Sequence, residues 1–144
     1  HFKKPNLSKK IRLNDMVIAT SKNHRNQILK NLIKKLNFKE VMVMGSIGCK
    51  IASILRGESD IYLCLSLPGE SCPKDWDFAA PAALLKAAGG AITNLNNEEL
   101  SYGNYNFEQG GIIIASSNYL NHGKICLGIK EVINKFNLYP FNPN

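Results

Sequence analysis

Five short apolar runs punctuate the chain: MVIA at 16–19, VMVM at 41–44, DIYLCLS at 60–66, AITNL at 91–95 and GIIIAS at 111–116. Their length suits buried strands, and all fall far short of the ~20 apolar residues that span a membrane. The segments between them have helical period or turn composition. From 24 to 36, Ile28, Leu29, Leu32, Ile33 and Leu36 share one face, with Lys30, Lys34 and Lys35 opposite. A short helix is expected from 46 to 56, closed by Gly57, and a long one from about 119 to 136 with Ile125, Ile129, Val132, Ile133 and Phe136 inward. Apolar strands that alternate with helices are covered on both faces only when helices flank a central sheet. The expected architecture is a three-layer α/β/α domain around a mixed sheet. Such sheets place ligand sites in loops at strand ends, beside helix N-termini.

Composition narrows the function classes. The 144 residues carry 18 Lys and Arg against 11 Asp and Glu, a net charge of +7. That sign points to anionic partners. The lysines gather in the N-terminal stretch and on one helix face, with no aromatic residues interleaved to stack bases, so no nucleic-acid partner is expected. No membrane partner is expected either, and the opening HFKKPNLSKK lacks the apolar core of a signal peptide. Four cysteines at 49, 64, 72 and 126 form no C-x-x-C pair, which argues against zinc and for a reduced, cytoplasmic setting.

Three loops carry the chemistry. In TSKNH (20–24), Ser21 can cap the following helix and His24 lies in its first turn. In GSIGCK (45–50), Gly45 and Gly48 let a ligand approach the backbone, Ser46 offers a hydroxyl, and Lys50 adds charge at a helix N-terminus. This is a phosphate cradle without the Walker A spacing. In PKDWD (73–77), Asp77 opens a helix of Ala and Leu that breaks on Gly89-Gly90, with Pro81 near the first turn. Asp77 reads as an N-cap. One carboxylate cannot build a magnesium site, which needs six oxygens.

The run WDFAAPAALLKAAGGAIT resembles the W-D-x-A-A-[GP] signature of the inositol monophosphatase superfamily. The order TSKNH, GSIGCK, DIYLCLS, PKDWDFAAP resembles most the 3′(2′),5′-bisphosphate nucleotidases of the bacterial CysQ type, from about Ile11 to Ser116. The resemblance implies a two-domain, sugar-phosphatase-like fold of which this is the C-terminal half. The D-P-[IL]-D-G-T signature and its upstream Glu-Glu pair, which carry the catalytic groups and most metal ligands, belong to the N-terminal domain. Residues 1–10 then read as a linker from that domain, 11–136 as the C-terminal α/β domain, and 137–144 as a tail.

The implied cofactor is Mg2+ and the implied reaction is hydrolysis of 3′-phosphoadenosine 5′-phosphate to AMP and phosphate, a by-product of sulfur assimilation. Asp77 is the implied metal ligand, with Trp76 packed beneath it. Ser21, His24, Ser46, Gly48 and Lys50 are the implied substrate contacts, and the catalytic groups lie in the partner domain. The alternatives are an inositol or sugar-phosphate phosphatase and a non-catalytic anion-binding domain. Cys64 stands where some nucleotidases carry an Arg and inositol monophosphatases an acid.

Overall fold

The computed structural model describes residues 5, 7–21, 26–67 and 69–138. The sheet has five strands: β1 (Val17–Ser21), β2 (Glu40–Met44), β3 (Ile61–Ser66), β4 (Ala91–Asn94) and β5 (Gly111–Ser116). Their spatial order is β2-β1-β3-β5-β4. β1 pairs in parallel with both β2 and β3, Ile18 lying beside Val41 and Ile61. β5 runs antiparallel to both β3 and β4, so it is the reversed strand of a mixed sheet. Four helices cover it: α1 (Gln27–Leu36), α2 (Ile47–Leu55), α3 (Asp75–Ala87) and α4 (Tyr119–Lys135).

The side chains of the inner strands β1, β3 and β5 divide between the two faces of the sheet. On one face Ile18, Leu63 and Ile114 meet Leu32 of α1 and Ile129 of α4. On the other, Tyr62 and Ile113 meet Ile54 of α2 and Phe78 and Leu85 of α3. The molecule is therefore a three-layer α/β/α sandwich. The expectation that every strand is covered on both faces fails at β2, a sheet edge where Val41 and Val43 are 43% and 51% exposed.

Local chemistry sets the helix ends. Asn26 caps α1, its Oδ1 accepting from the Leu29 amide at 2.7 Å, and Asn37 ends it in the left-handed conformation. Ser21 is not that cap; it is the last residue of β1. Helix α3 starts at Asp75, two residues before Asp77, so Asp77 is the third helical residue rather than the N-cap. Its carboxylate reaches back to the Lys74 amide at 2.8 Å, the acidic half of a capping box. Pro81 accordingly lies in the second turn, and without an N–H it gives nothing to the Asp77 carbonyl.

At the far end of α3, Gly89 takes φ +102° and ends the helix, as its sequence implies. A Cβ on Gly90 would fall 2.5 Å from Leu85 Cδ1 and 2.6 Å from the Ser116 carbonyl oxygen, so α3 packs this close to β5 only over a glycine.

The described part of the N-terminal stretch lies against the domain. Leu7 packs on the second core, and Lys10 Nζ pairs with the buried Asp60 at 3.0 Å. No helix among the described residues is long and apolar enough to cross a membrane.

Candidate functional site

β1, β2 and β3 run parallel, so their C-terminal ends share one edge, and each leads through a loop into a helix. The N-termini of α1, α2 and α3 therefore converge there. Each carries unpaired amide groups and the positive end of a helix dipole. The chain passes from β1 to β2 on one side and then returns over β1 to reach β3 on the other. Right-handed crossovers in opposite directions put α1 and α2 on opposite faces, leaving a crevice between the strand ends.

Lys50 sits one turn into α2. It is only 2% exposed, which removes the reading of a solvated lysine. Its Nζ donates to Ser21 Oγ at 2.7 Å and lies 5.0 Å from the centre of the Tyr62 ring. No carboxylate pairs with it among the described residues. Burial lowers its pKa, as a desolvated ammonium requires. Ser21 and Lys50, far apart in sequence, are thus brought into one contact.

Ser46 caps α2, its Oγ accepting from the Cys49 amide at 3.1 Å, and remains exposed at the crevice. Gly48 also lies exposed in this first turn; a Cβ there would meet only Ser46 Oγ, at 3.9 Å. His24 lies outside the described residues.

The two aspartates that flank Trp76 have different surroundings. Asp75 is consumed by the 101–109 loop: Oδ1 accepts from Gln109 Nε2 at 2.6 Å and Oδ2 from the Gly103 amide at 2.8 Å. Asp77 is engaged only through Oδ2, and Oδ1 carries no hydrogen bond among the described residues. Asp77 acts on Tyr62, whose phenol is pushed up by burial first, by Cys64, and by the Asp77 charge. Trp76 does not pack beneath this turn. It is 66% exposed, and its ring lies against that of Phe107 at a centroid distance of 6.2 Å.

Beside the Ser21–Lys50 contact a cavity of about 340 Å³ opens, lined among others by Ser21, Asn26, Tyr62, Cys64, Ser66 and Glu70. Reading the sequence missed Tyr62, Asn26 and Glu70. Only Asn26 carried a local signal, a capping residue just before an amphipathic run.

Among the described residues no three His, Cys, Asp or Glu side chains converge to hold a metal ion. Asp77 alone does not make a magnesium site.

A larger groove of about 730 Å³ follows α3 and β4, floored by small residues such as Ala83 and Gly90, with Thr93 and His122 at one end. It holds no free base. Thr93 Oγ1 gives its proton to the Asn94 carbonyl at 2.8 Å, so His122 Nε2 donates to Thr93 at 2.7 Å. His122 Nδ1 then accepts from Ser116 Oγ at 2.6 Å. That histidine joins β4, β5 and α4 as a structural pin.

The fold and the sequence both resemble known proteins. The mouse 3′(2′),5′-bisphosphate nucleotidase 1 is 32% identical over 105 residues, which cover 72% of this chain and 33% of that protein. Inositol monophosphatase 3 of Xenopus tropicalis is 28% identical over 101 residues, 66% of this chain and 26% of that protein. The fold of the Thermotoga maritima IMPase superposes with a TM-score of 0.66 at 21% identity, over 90% of this chain and 46% of that one. The chain spans about a third of its curated relatives and about half of its structural neighbours. Residues 2–134 match the model of the Inositol monophosphatase family, and the chain belongs to that family.

Proposed function

We propose that this chain is the C-terminal part of a magnesium-dependent phosphomonoesterase that hydrolyses 3′-phosphoadenosine 5′-phosphate to AMP and phosphate. The observation that carries the reading is Lys50: a buried ammonium with no carboxylate partner among the described residues, at an edge where three helix N-termini converge. A desolvated, unpaired cation is costly, and an anionic ligand offsets that cost. The relatives named bisphosphate nucleotidases favour a substrate with two phosphates.

In this reading Lys50 and the amides of α2 hold one phosphate. Ser21 fixes the ammonium so that no ordering of a long side chain is needed when the ligand arrives. Ser46 and Gly48 border the phosphate, and His24 is proposed as a further substrate contact on the resemblance alone. When bound, magnesium supplies charge stabilisation and an acidified water. Asp77 gives it one ligand through Oδ1, and the remaining ligands come from an N-terminal domain.

In the same reading that domain covers α3. Helix α3 is apolar nearly all round, yet only Phe78 and Leu85 are buried in this chain, while Trp76, Ala79, Ala80, Ala83, Leu84 and Ala87 face outward. Helices of this composition are covered on both sides. Four free cysteines suit a cytoplasmic enzyme. An inositol or sugar-phosphate phosphatase is the second reading, favoured by the likeness to inositol monophosphatase 3; Cys64 supplies neither the charge for a second phosphate nor an acid for ring hydroxyls, and so does not decide between the two.

The test compares residues 1–144 with the chain extended at its N-terminus to the length of its relatives, in magnesium. Phosphate release is measured from 3′-phosphoadenosine 5′-phosphate and from inositol monophosphate. The extended protein is expected to prefer the bisphosphate and residues 1–144 to release nothing. Turnover by the short chain would refute the two-domain reading, and a preference for inositol monophosphate would refute the substrate. Tight phosphate binding without turnover by the extended chain would leave only an anion-binding domain.

A further inference from the structure

An ammonium as buried as that of Lys50 persists as a cation only if its surroundings replace the water it has lost. Among the described residues two groups do so: the Ser21 hydroxyl at 2.7 Å and the face of the Tyr62 ring, whose centre is 5.0 Å away. No carboxylate pairs with it among those residues. Burial lowers the Lys50 pKa, and Cys64 of β3 and Cys49 of α2 oppose that shift. Cys64 is itself pushed up by burial, so its thiol stays neutral near pH 7. Asp77 of α3 acts on the Tyr62 phenol, not on Lys50.

A ring face attracts a cation through its quadrupole while carrying no net charge. A carboxylate in the same place would hold the ammonium but would also repel an incoming phosphate. The ring therefore steadies the cation and leaves the crevice positive. Tyr62 is only 2% exposed, so its face is fixed before any ligand arrives. Ser21 accepts one of the three ammonium protons, which leaves donors for a ligand. We infer that Tyr62 is a positioning residue for substrate binding, its ring face holding the Lys50 ammonium charged and in place for a phosphate group. The inference rests on the nucleotide reading above and adds to it what keeps the principal cation charged without a counter-ion.

Tyr62 also packs against Ile54 and Ile113 in the second core, so truncation would confuse packing with charge. The test changes the ring's charge distribution and keeps its size. Position 62 is filled by Tyr62→Phe and then by phenylalanine carrying one, two or three ring fluorines, which progressively drain the negative face. Thermal melts establish that each protein folds. NMR of isotope-labelled lysine follows the Lys50 titration on the 144-residue chain, the signal being identified by its loss in Lys50→Met. Tyr62→Phe is expected to titrate near wild type. The full fluorine series is expected to move the Lys50 titration down by about one pH unit, the scale of a desolvated contact of this kind. Phosphate binding needs the ammonium and is lost as pH rises through that titration. Calorimetry with adenosine 3′,5′-bisphosphate, without magnesium, should therefore show binding lost at correspondingly lower pH.

A Lys50 titration that ignores the fluorine series overturns the role of Tyr62 and leaves the nucleotide reading standing. A titration that follows the series, with no bisphosphate binding at any pH or with binding indifferent to Lys50→Met, overturns the nucleotide reading and the role in substrate binding together.

Discussion

His122 should make the stability of this domain fall with acid by a predictable amount. Its ring is 1% exposed, fixed between Thr93 and Ser116, and bonded to no charged group among the described residues. Burial lowers its pKa from 6.5 to about 4. At pH 7 the ring is neutral both folded and unfolded, so its titration has no effect. Below 6.5 the unfolded chain takes up a proton that the folded chain refuses. Stability is therefore lost as pH falls from 6.5 towards 4, and no further below. At about 1.4 kcal/mol per pH unit the loss reaches about 3 kcal/mol by pH 4. That is a large share of a domain's usual stability.

The assay is urea unfolding of wild type and His122→Gln between pH 7 and pH 4, followed by far-ultraviolet circular dichroism. Trp76 is the only tryptophan and is already exposed, so its fluorescence would report poorly. Carboxylates that titrate in both proteins cancel in the difference. Wild type should lose about 3 kcal/mol relative to the variant across this range. A difference that stays flat within about 0.5 kcal/mol, the usual scatter of such comparisons, would show that His122 is not held neutral in the fold.

Asp77→Asn keeps an acceptor for the Lys74 amide, so unfolding of the 144-residue chain should be nearly unchanged, while the extended enzyme loses most turnover; lost stability with retained turnover would make Asp77 a cap only. Lys50→Met keeps the buried stem and removes the charge, and titration calorimetry should show bisphosphate binding weakened roughly tenfold or more. Asp60→Ala strands the Val17 amide, bonded at 2.7 Å, and should cost about 2–3 kcal/mol in urea unfolding. Gly90→Ala must displace Leu85 or the Ser116 carbonyl and should lower stability by about 1–3 kcal/mol, visible as a drop in melting temperature.

Much of this molecule was legible in one dimension because its causes are local. Strand positions follow from apolar runs, and all five appear within a residue or two of where their sequences place them. The α1 face follows from the spacing of Leu29, Leu32, Ile33 and Leu36, all buried, with Lys30, Lys34 and Lys35 exposed. The ending of α3 at Gly89 follows from the conformational freedom of glycine. The W-D signature pointed to the family because its residues are contiguous.

What failed depends on neighbours far along the chain. Nothing in PKDWD says that Asp75 will be taken by Gln109 while Asp77 keeps an open oxygen. Nothing in GSIGCK separates an exposed lysine from a buried one. Lys50 is buried because β1 lies between β2 and β3, which carries Ser21 to its ammonium and Tyr62 beneath it. Trp76 was expected beneath the turn from the resemblance, but the helix begins two residues before Asp77 and turns it outward. Local periodicity and turn chemistry determined the elements; strand order, which depends on long-range pairing, decided which side chains, Lys50 among them, lost their water.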